Sequence, residues 1–411
     1  MKRLSISIVA LAACGFASAA PAQTFEQAPG TRIKIDLAAL PAPYQPPSPA
    51  NPPRTIARPK DAMPRVPAGF QVNIFAEGLE DARNLITAAN GDVILTMSGL
   101  GKIVLLRDAD NDGKAEKIET FAEGFRNPFG LDFLGEALLI GDLNAVWKLP
   151  YKPGDLKASA KAQQITKDGA LGDPGGHSTR TIAVHPDGTK IYVAIGSRGN
   201  INEEPEPRAT MQEFNIDGSG QRTFATGLRN AVGTRFYPGT SDLYTVVNER
   251  DGLADELVPD YLTKVADGGF YGWPYSYMGQ NPQPRFADKR PDLVAKAIVP
   301  DTPFRSHSAP VGLAFATGTQ FPAEYRGGAF VALRGSWNAA QPRGYHVVYV
   351  PWVNGKPSDS YIVFASGFWH QGDQKAEVWG RPAGVAVAKD GSLLIADDTA
   401  DVVWRVSYTG K

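Results

Sequence analysis

The residues best suited to chemistry gather around one histidine. Gly175-Gly176-His177-Ser178-Thr179-Arg180 places an imidazole after two glycines, on a loop whose backbone a ligand can approach closely. Such an imidazole can act as a general base near neutral pH, although a lone loop histidine is also an ordinary turn residue. An apolar run follows and ends in Ala194-Ile195-Gly196-Ser197-Arg198-Gly199-Asn200. Two Arg-Asn pairs stand in matching settings, Arg126-Asn127-Pro128-Phe129-Gly130 and Arg229-Asn230-Ala231-Val232-Gly233. A guanidinium fork grips carboxylates bidentately and asparagine adds an amide donor, so such pairs suit a polycarboxylate ligand. They can instead tie strands together through carbonyls; Arg126 is read that way, Arg229 as facing a ligand. The loop Asn248-Glu249-Arg250-Asp251-Gly252-Leu253-Ala254-Asp255-Glu256 is of the kind that offers carboxylates and main-chain carbonyls to Ca²⁺. Asp108-Ala109-Asp110-Asn111-Asp112-Gly113-Lys114-Ala115-Glu116 starts like a Ca²⁺ loop but lacks the full spacing, and reads equally as an exposed hairpin turn. His185, in His185-Pro186-Asp187-Gly188, reads as a turn residue; local chemistry does not separate His307, His346 or His370 from structural roles.

These residues need a rigid frame, and the texture of the chain says which. The phrase Phe-Ala-x-Gly-(Leu/Phe) recurs at Phe75, Phe121, Phe224 and Phe364, and each copy precedes a short apolar run ending in a turn. Examples are Asp92 to Leu95, Ala137 to Asp142, Lys190 to Gly196 and Ser392 to Asp397. Second runs such as Lys102 to Leu106 and Val402 to Val406 alternate more clearly, and no sustained helical stripe appears. Several strands per repeat, with 43 glycines and 33 prolines as punctuation, predict an all-β fold, a six-bladed β-propeller over residues 66–411. A sandwich or stacked barrels leave the recurring phrase unexplained. Propellers hold ligands over a central channel on loops, so the chemistry belongs there.

Composition bounds the partners. The chain is 43% hydrophobic and 21% charged with net charge −1, which fits a globular protein and gives no basic footprint for nucleic acid. Lys2 and Arg3, the apolar stretch from Leu4 to Ala20, and Ala20-Pro21-Ala22 predict a cleaved export signal over residues 1–22 rather than a membrane span. Leu11-Ala12-Ala13-Cys14 offers lipid anchoring as a second possibility. Cys14 is the only cysteine, so after simple cleavage stability rests on a large core without disulfides, as suits a bacterial periplasm. Residues 23–65 form a Pro-rich extension expected to run extended over the surface without regular ladder hydrogen bonds.

The order of the His177 loop, Gly227-Leu228-Arg229-Asn230, Glu249 with Asp255-Glu256, and Asp267-Gly268-Gly269-Phe270-Tyr271-Gly272-Trp273-Pro274 resembles the glucose/sorbosone dehydrogenase family. These are six-bladed propellers that use pyrroloquinoline quinone (PQQ), and the likeness covers residues 66 to 408. It implies oxidation of an aldose sugar or related aldehyde by hydride transfer to PQQ, with His177 as base. It further implies quinone contacts from Arg229 and Asn230, with Arg229 stabilising developing charge, a carboxylate contact from Arg381, and a cofactor contact from Arg334, which falls near a family lysine. A Ca²⁺ ion polarising PQQ would be held through main-chain carbonyls of the Glu249-Arg250-Asp251 segment, with Arg250 and Asp251 at the carbonyl positions. Glucose enzymes of the family carry an aspartate where this chain has Ser197, and Arg198 to Glu204 looks more like the L-sorbosone and aldose sugar dehydrogenase branch. Losing that carboxylate removes a strong acceptor for a sugar hydroxyl. No Cys-x-x-Cys-His haem pattern occurs, so electrons would leave to a separate carrier, a cytochrome or the quinone pool. The competing readings are a Ca²⁺-dependent lactonase-type hydrolase and a non-catalytic binding propeller.

Overall fold

The short apolar runs form strands that are buried on both faces, which is why alternation is weak in them. In the computed structural model, which describes residues 27–410, the strands Val93–Met97, Ala137–Gly141, Leu243–Val247, Ala329–Leu333 and Leu393–Asp397 are buried at every position. Sheets packed against sheets leave no polar face to write into the sequence. The expected signal segment 1–22 and Cys14 lie outside the described residues.

Six sheets have four or more strands. Their first strands are Ala82–Thr87, Gly130–Leu134, Arg180–Val184, Ala231–Phe236, Pro310–Phe315 and Pro382–Val387, and each touches the next in order, the last returning to the first. The ring closes through the sheet that begins at Pro382–Val387, whose strand Val402–Tyr408 pairs antiparallel with Phe70–Glu77. This is a β-propeller-type fold. Glycine permits the close approach at its centre: a Cβ on Gly312 would lie 2.5 Å from the Ala383 carbonyl, and one on Gly384 would lie 2.5 Å from that of Arg83. The apolar core lies between adjacent sheets. Leu85, Leu95 and Val104 of one, for instance, pack against Leu394, Ala396 and Val403 of its neighbour.

The recurring phrase now has a physical reason. Its Phe-Ala lies at or near the end of the fourth strands of four sheets, Phe70–Glu77, Lys117–Glu123, Arg222–Thr226 and Ser360–Ala365. Its glycines (78, 124, 227 and 367) all take positive φ as the chain turns inward toward the next first strand.

The Pro-rich extension departs from expectation. Arg32–Lys34 adds an antiparallel strand to Ser360–Ala365, and Arg54–Thr55 pairs parallel with Glu377–Val378. Between these, Asp255 N donates to the Pro46 carbonyl (2.8 Å) and Asn51 N to that of Trp337 (2.6 Å). Ladder bonds form because neither short strand contains proline.

Candidate active site

Topology alone gathers the expected residues. Each first strand starts, and each antiparallel second strand ends, at the same end of the ring. His177 and Arg229 lead into first strands, and Arg381 directly precedes one. Ser197, Asn248 to Asp251, Arg334 and Asp398 follow second strands. The Asp108–Glu116 loop instead joins a third strand to a fourth, which puts it at the opposite end. Its four carboxylates, Asp108, Asp110, Asp112 and Glu116, come within 4.8 Å of one another, but away from the other expected residues. His185 sits in its turn and pairs with Asp187 at 2.7 Å, as expected.

The His177 ring is held by one nitrogen. Nδ1 lies 2.8 Å from the Ser197 carbonyl and 3.1 Å from Ser197 Oγ, and the His177 amide donates to the same carbonyl at 3.1 Å. A carbonyl can only accept, so Nδ1 carries the proton and Nε2 is left with its lone pair. Burial first, and the Arg229 charge second, push the imidazole down to about 4, so it is neutral and proton-accepting at pH 7. Ser197 is fully buried and its hydroxyl donates to the Gly199 carbonyl at 2.7 Å.

Arg229 is almost wholly buried and fully committed. Nε donates to the Asn200 carbonyl (3.0 Å), and Nη1 to the carbonyls of Asn248 (3.2 Å) and Glu249 (2.7 Å). Nη2 reaches Asn200 Oδ1 (3.1 Å) and Asp251 Oδ2 (3.4 Å). That accounts for all five guanidinium N–H groups. Asp251 also accepts from Asn338 Nδ2 (2.8 Å) and lies 3.7 Å from His307 Nδ1. Burial alone would raise its carboxyl, but His307 and Arg229 hold it below the ordinary range. Asn230 Oδ1 is buried with no partner, an open amide beside this network.

The expected metal loop is already bonded. The Glu249 carbonyl takes the Arg229 bond, and the Asp251 carbonyl accepts from Asn200 Nδ2 (2.9 Å) and from Arg250 Nε (3.0 Å) and Nη2 (2.8 Å). Two of the three carbonyls therefore face guanidinium donors. The Glu249 carboxyl is buried, which raises it to about 7. Of the three main-chain carbonyls of this segment, the one left for a cation is that of Arg250; the Asp251 carboxylate beside it already accepts from Arg229 and Asn338.

A second cluster is built differently. The Asp398 carboxylate, completely covered, accepts from Arg83 Nη1 and from Arg334 Nε (2.6 Å). Arg381 donates through Nε to the Arg334 carbonyl (3.0 Å) and through Nη2 to that of Gly335 (2.8 Å). Three guanidinium groups thus gather around one carboxylate. Burial, with Arg334 adding like charge, brings Arg381 down to about 10. Arg126 does not have the role expected of it: it is exposed and its side chain makes no hydrogen bond or ion pair among the described residues, so it does not tie sheets together through carbonyls. Sequence reasoning missed Arg83, Asn200, His307, Asn338 and Asp398, which lie in no motif with their partners.

A ring of sheets carrying an oriented histidine and surplus guanidinium charge at one end defines the class: a β-propeller-type protein with a guanidinium-rich face. The TrAA12-like family model matches residues 64–266 and 276–409, and the chain belongs to that family. It is 23% identical over 400 residues to the pyrroloquinoline quinone-dependent pyranose dehydrogenase of Coprinopsis cinerea, covering 82% of this chain and 54% of that one. The chain therefore spans about half the length of that curated relative. The fold is similar to the holo form of that enzyme's PQQ domain, with TM-score 0.71, 19% identity, and coverage of 87% of this chain and 99% of that one. It is also similar to the calcium structure of a Trichoderma reesei family AA12 carbohydrate-active enzyme, with TM-score 0.69, 16% identity, and coverage of 84% and 96%.

Proposed function

We propose that this chain is an exported quinoprotein oxidoreductase that oxidises an aldose sugar or a related aldehyde, sorbosone-like in class, and that its six large sheets are the six blades of one propeller domain. The observation that carries the reading is the oriented His177, Nε2 open, at the same end of the ring as a guanidinium cluster that exceeds its carboxylate. The donor set fits a polycarboxylate cofactor such as PQQ. Arg334 and Arg381 would hold its carboxylates, and Asn230 would face it with an unpartnered Oδ1, which can only accept and so would meet a donor rather than a carboxylate. When bound, PQQ supplies a two-electron acceptor for hydride.

The chain's own part follows from its geometry. His177 Nε2 takes the proton of the substrate hydroxyl, and Ser197 fixes the ring and its tautomer through Nδ1. Arg229 acts as fixed positive charge beside that ring rather than as a hydrogen-bond donor to cofactor, because its donors are committed. Ca²⁺ fits less directly than PQQ. One of the two expected carbonyls, that of Asp251, already accepts from the Arg250 side chain, so its use by the ion requires that side chain to leave it. Ser197, buried and bonded to Gly199, offers a sugar no carboxylate, which favours substrates other than glucose. A lactonase-type hydrolase would need a carboxylate cage at the active end, whereas the acidic group close enough for a metal lies at the other end. The electron acceptor is a separate carrier.

Reconstitution of the apoprotein with PQQ and Ca²⁺, followed by dye reduction across a panel of sugars and aldehydes, tests the reading. Substrate-dependent reduction that requires PQQ is expected. No spectral change on adding PQQ would remove it.

A further inference from the structure

The loop that carries His177 has almost no regular support of its own. Gly175 and Gly176 both take positive φ, and residues 173–176 are exposed, outside any strand. What spans this loop and the neighbouring strand end is a buried side chain, Arg208, at 7% exposure. Its Nη2 donates to the carbonyls of Asp173 and Gly175 (the latter at 2.7 Å). Its Nη1 donates to Gly196 (3.1 Å) and, more distantly, to His177 itself (3.4 Å). Gly196 adjoins Ser197, whose carbonyl holds both the His177 amide and Nδ1. Arg208 therefore joins the histidine loop to the strand end that orients the ring. Arg180 assists from below, donating through Nη1 to the carbonyls of His177 (2.9 Å) and Thr179 (2.8 Å).

We propose that Arg208 is the positioning residue of the His177 base, acting by clamping residues 173–177 onto Gly196 so that Nδ1 stays on the Ser197 carbonyl and Nε2 stays aimed at the substrate. The inference rests on His177 being the base of the proposed oxidation. A forked, planar cation is required because four carbonyls on two backbone segments, 173–177 and Gly196, must be met at once, and a lysine ammonium cannot span them. Arg208 touches neither substrate nor reacting atoms, so its effect runs wholly through His177.

Arg208→Lys and Arg208→Gln, in the full chain, test this with two readouts. In the PQQ-loaded enzyme, kcat should fall about 100-fold in both, the cost of a reacting group displaced by about 1 Å, while KM and PQQ retention stay near wild type. In the apoprotein, the His177 Nδ1–H signal, assigned by its loss in His177→Asn, should be slow to exchange in wild type and broadened in both variants, with the melting temperature little changed. Wild-type kcat in both variants with an intact His177 signal overturns the proposal. So does loss of folding, or a joint fall of kcat, PQQ retention and melting temperature, since Arg208 would then be merely structural. Should wild type oxidise no substrate, the functional reading fails separately and the apoprotein signal alone decides the clamp.

Discussion

Arg229 and the Arg83–Arg334–Arg381 group sit at the same end of the ring, yet they spend their charge in opposite ways. All five donors of Arg229 go to Asn200, Asn248, Glu249 and Asp251, so it is a finished piece of scaffold whose field is felt and whose hydrogen bonds are spent. Around Asp398, three guanidinium groups share one carboxylate, and no distal nitrogen of Arg334 is used in the contacts described. A fully bonded cation orients, whereas an under-compensated cluster recruits an anion. Motif matching treats the two alike, and donor bookkeeping separates them.

The largest break comes at the one open atom of the finished side. His177→Ala should lower turnover by roughly 10²–10⁴-fold, the usual worth of a general base, while PQQ still binds to the other cluster. Spectral titration with PQQ beside dye reduction reads both, and an equal loss of the two would make His177 structural. Next, Asp398→Asn should destabilise the apoprotein by roughly 3–5 kcal/mol, since it strips two arginines of a buried partner. Thermal unfolding measures this, and added PQQ should recover part of the loss by supplying carboxylates. A variant as stable as wild type would show that the cluster does not depend on Asp398.

A paired substitution sharpens the contrast. Arg334→Ala should weaken PQQ binding by roughly 10–100-fold, as expected for losing a charge-assisted bond worth about 1.5–3 kcal/mol, with little change in melting temperature. Arg229→Ala should do the reverse, because it leaves the carbonyls of Asn248 and Glu249 without donors, whereas that of Asn200 keeps Trp273 Nε1. The opposite pattern would reverse the assignment of the two clusters.

Much of this was legible in the sequence, and the limit has a physical cause. Phe-Ala-x-Gly marks outer-strand ends because the same inward turn recurs from sheet to sheet. His177 was visible because it follows two glycines, Arg229 because it stands in an Arg-Asn pair, and Arg381 through the family resemblance; Arg83, equally at the start of a first strand, sits in no such motif. Partners supplied by ring closure were hidden. Arg83 and Asp398 are 315 positions apart and meet only because the sheet holding Val402–Tyr408 is completed by Phe70–Glu77. Arg208 was invisible for another reason: its partners are main-chain carbonyls, which carry no residue-type signal. The two strands in the Pro-rich extension were missed because their partners also lie more than 300 residues away.

The smallest effect is the most discriminating for the finished side. With His177 held near 4 by burial and by Arg229, the acid limb of kcat/KM should fall near pH 4 rather than near the ordinary histidine value of about 6.5. The groups setting it are Arg229 and Arg208, which disfavour the imidazolium, and the Ser197 carbonyl and Asp251, which favour it. The sign for stability follows. The native state binds fewer protons at His177 than the unfolded chain, so the contribution of this group is present above about pH 6.5 and is lost as pH falls toward 4. Glu249 and Asp260, raised to about 7 by burial, act in the other direction: they favour the native state at low pH and lose that contribution as pH rises through 7. Activity is the cleaner probe because it isolates His177. Asp251→Asn removes the one carboxylate favouring the imidazolium, so it should move the acid limb lower still; a limb that stays put or rises would mean that Asp251 acts on His177 only through the placement of Arg229.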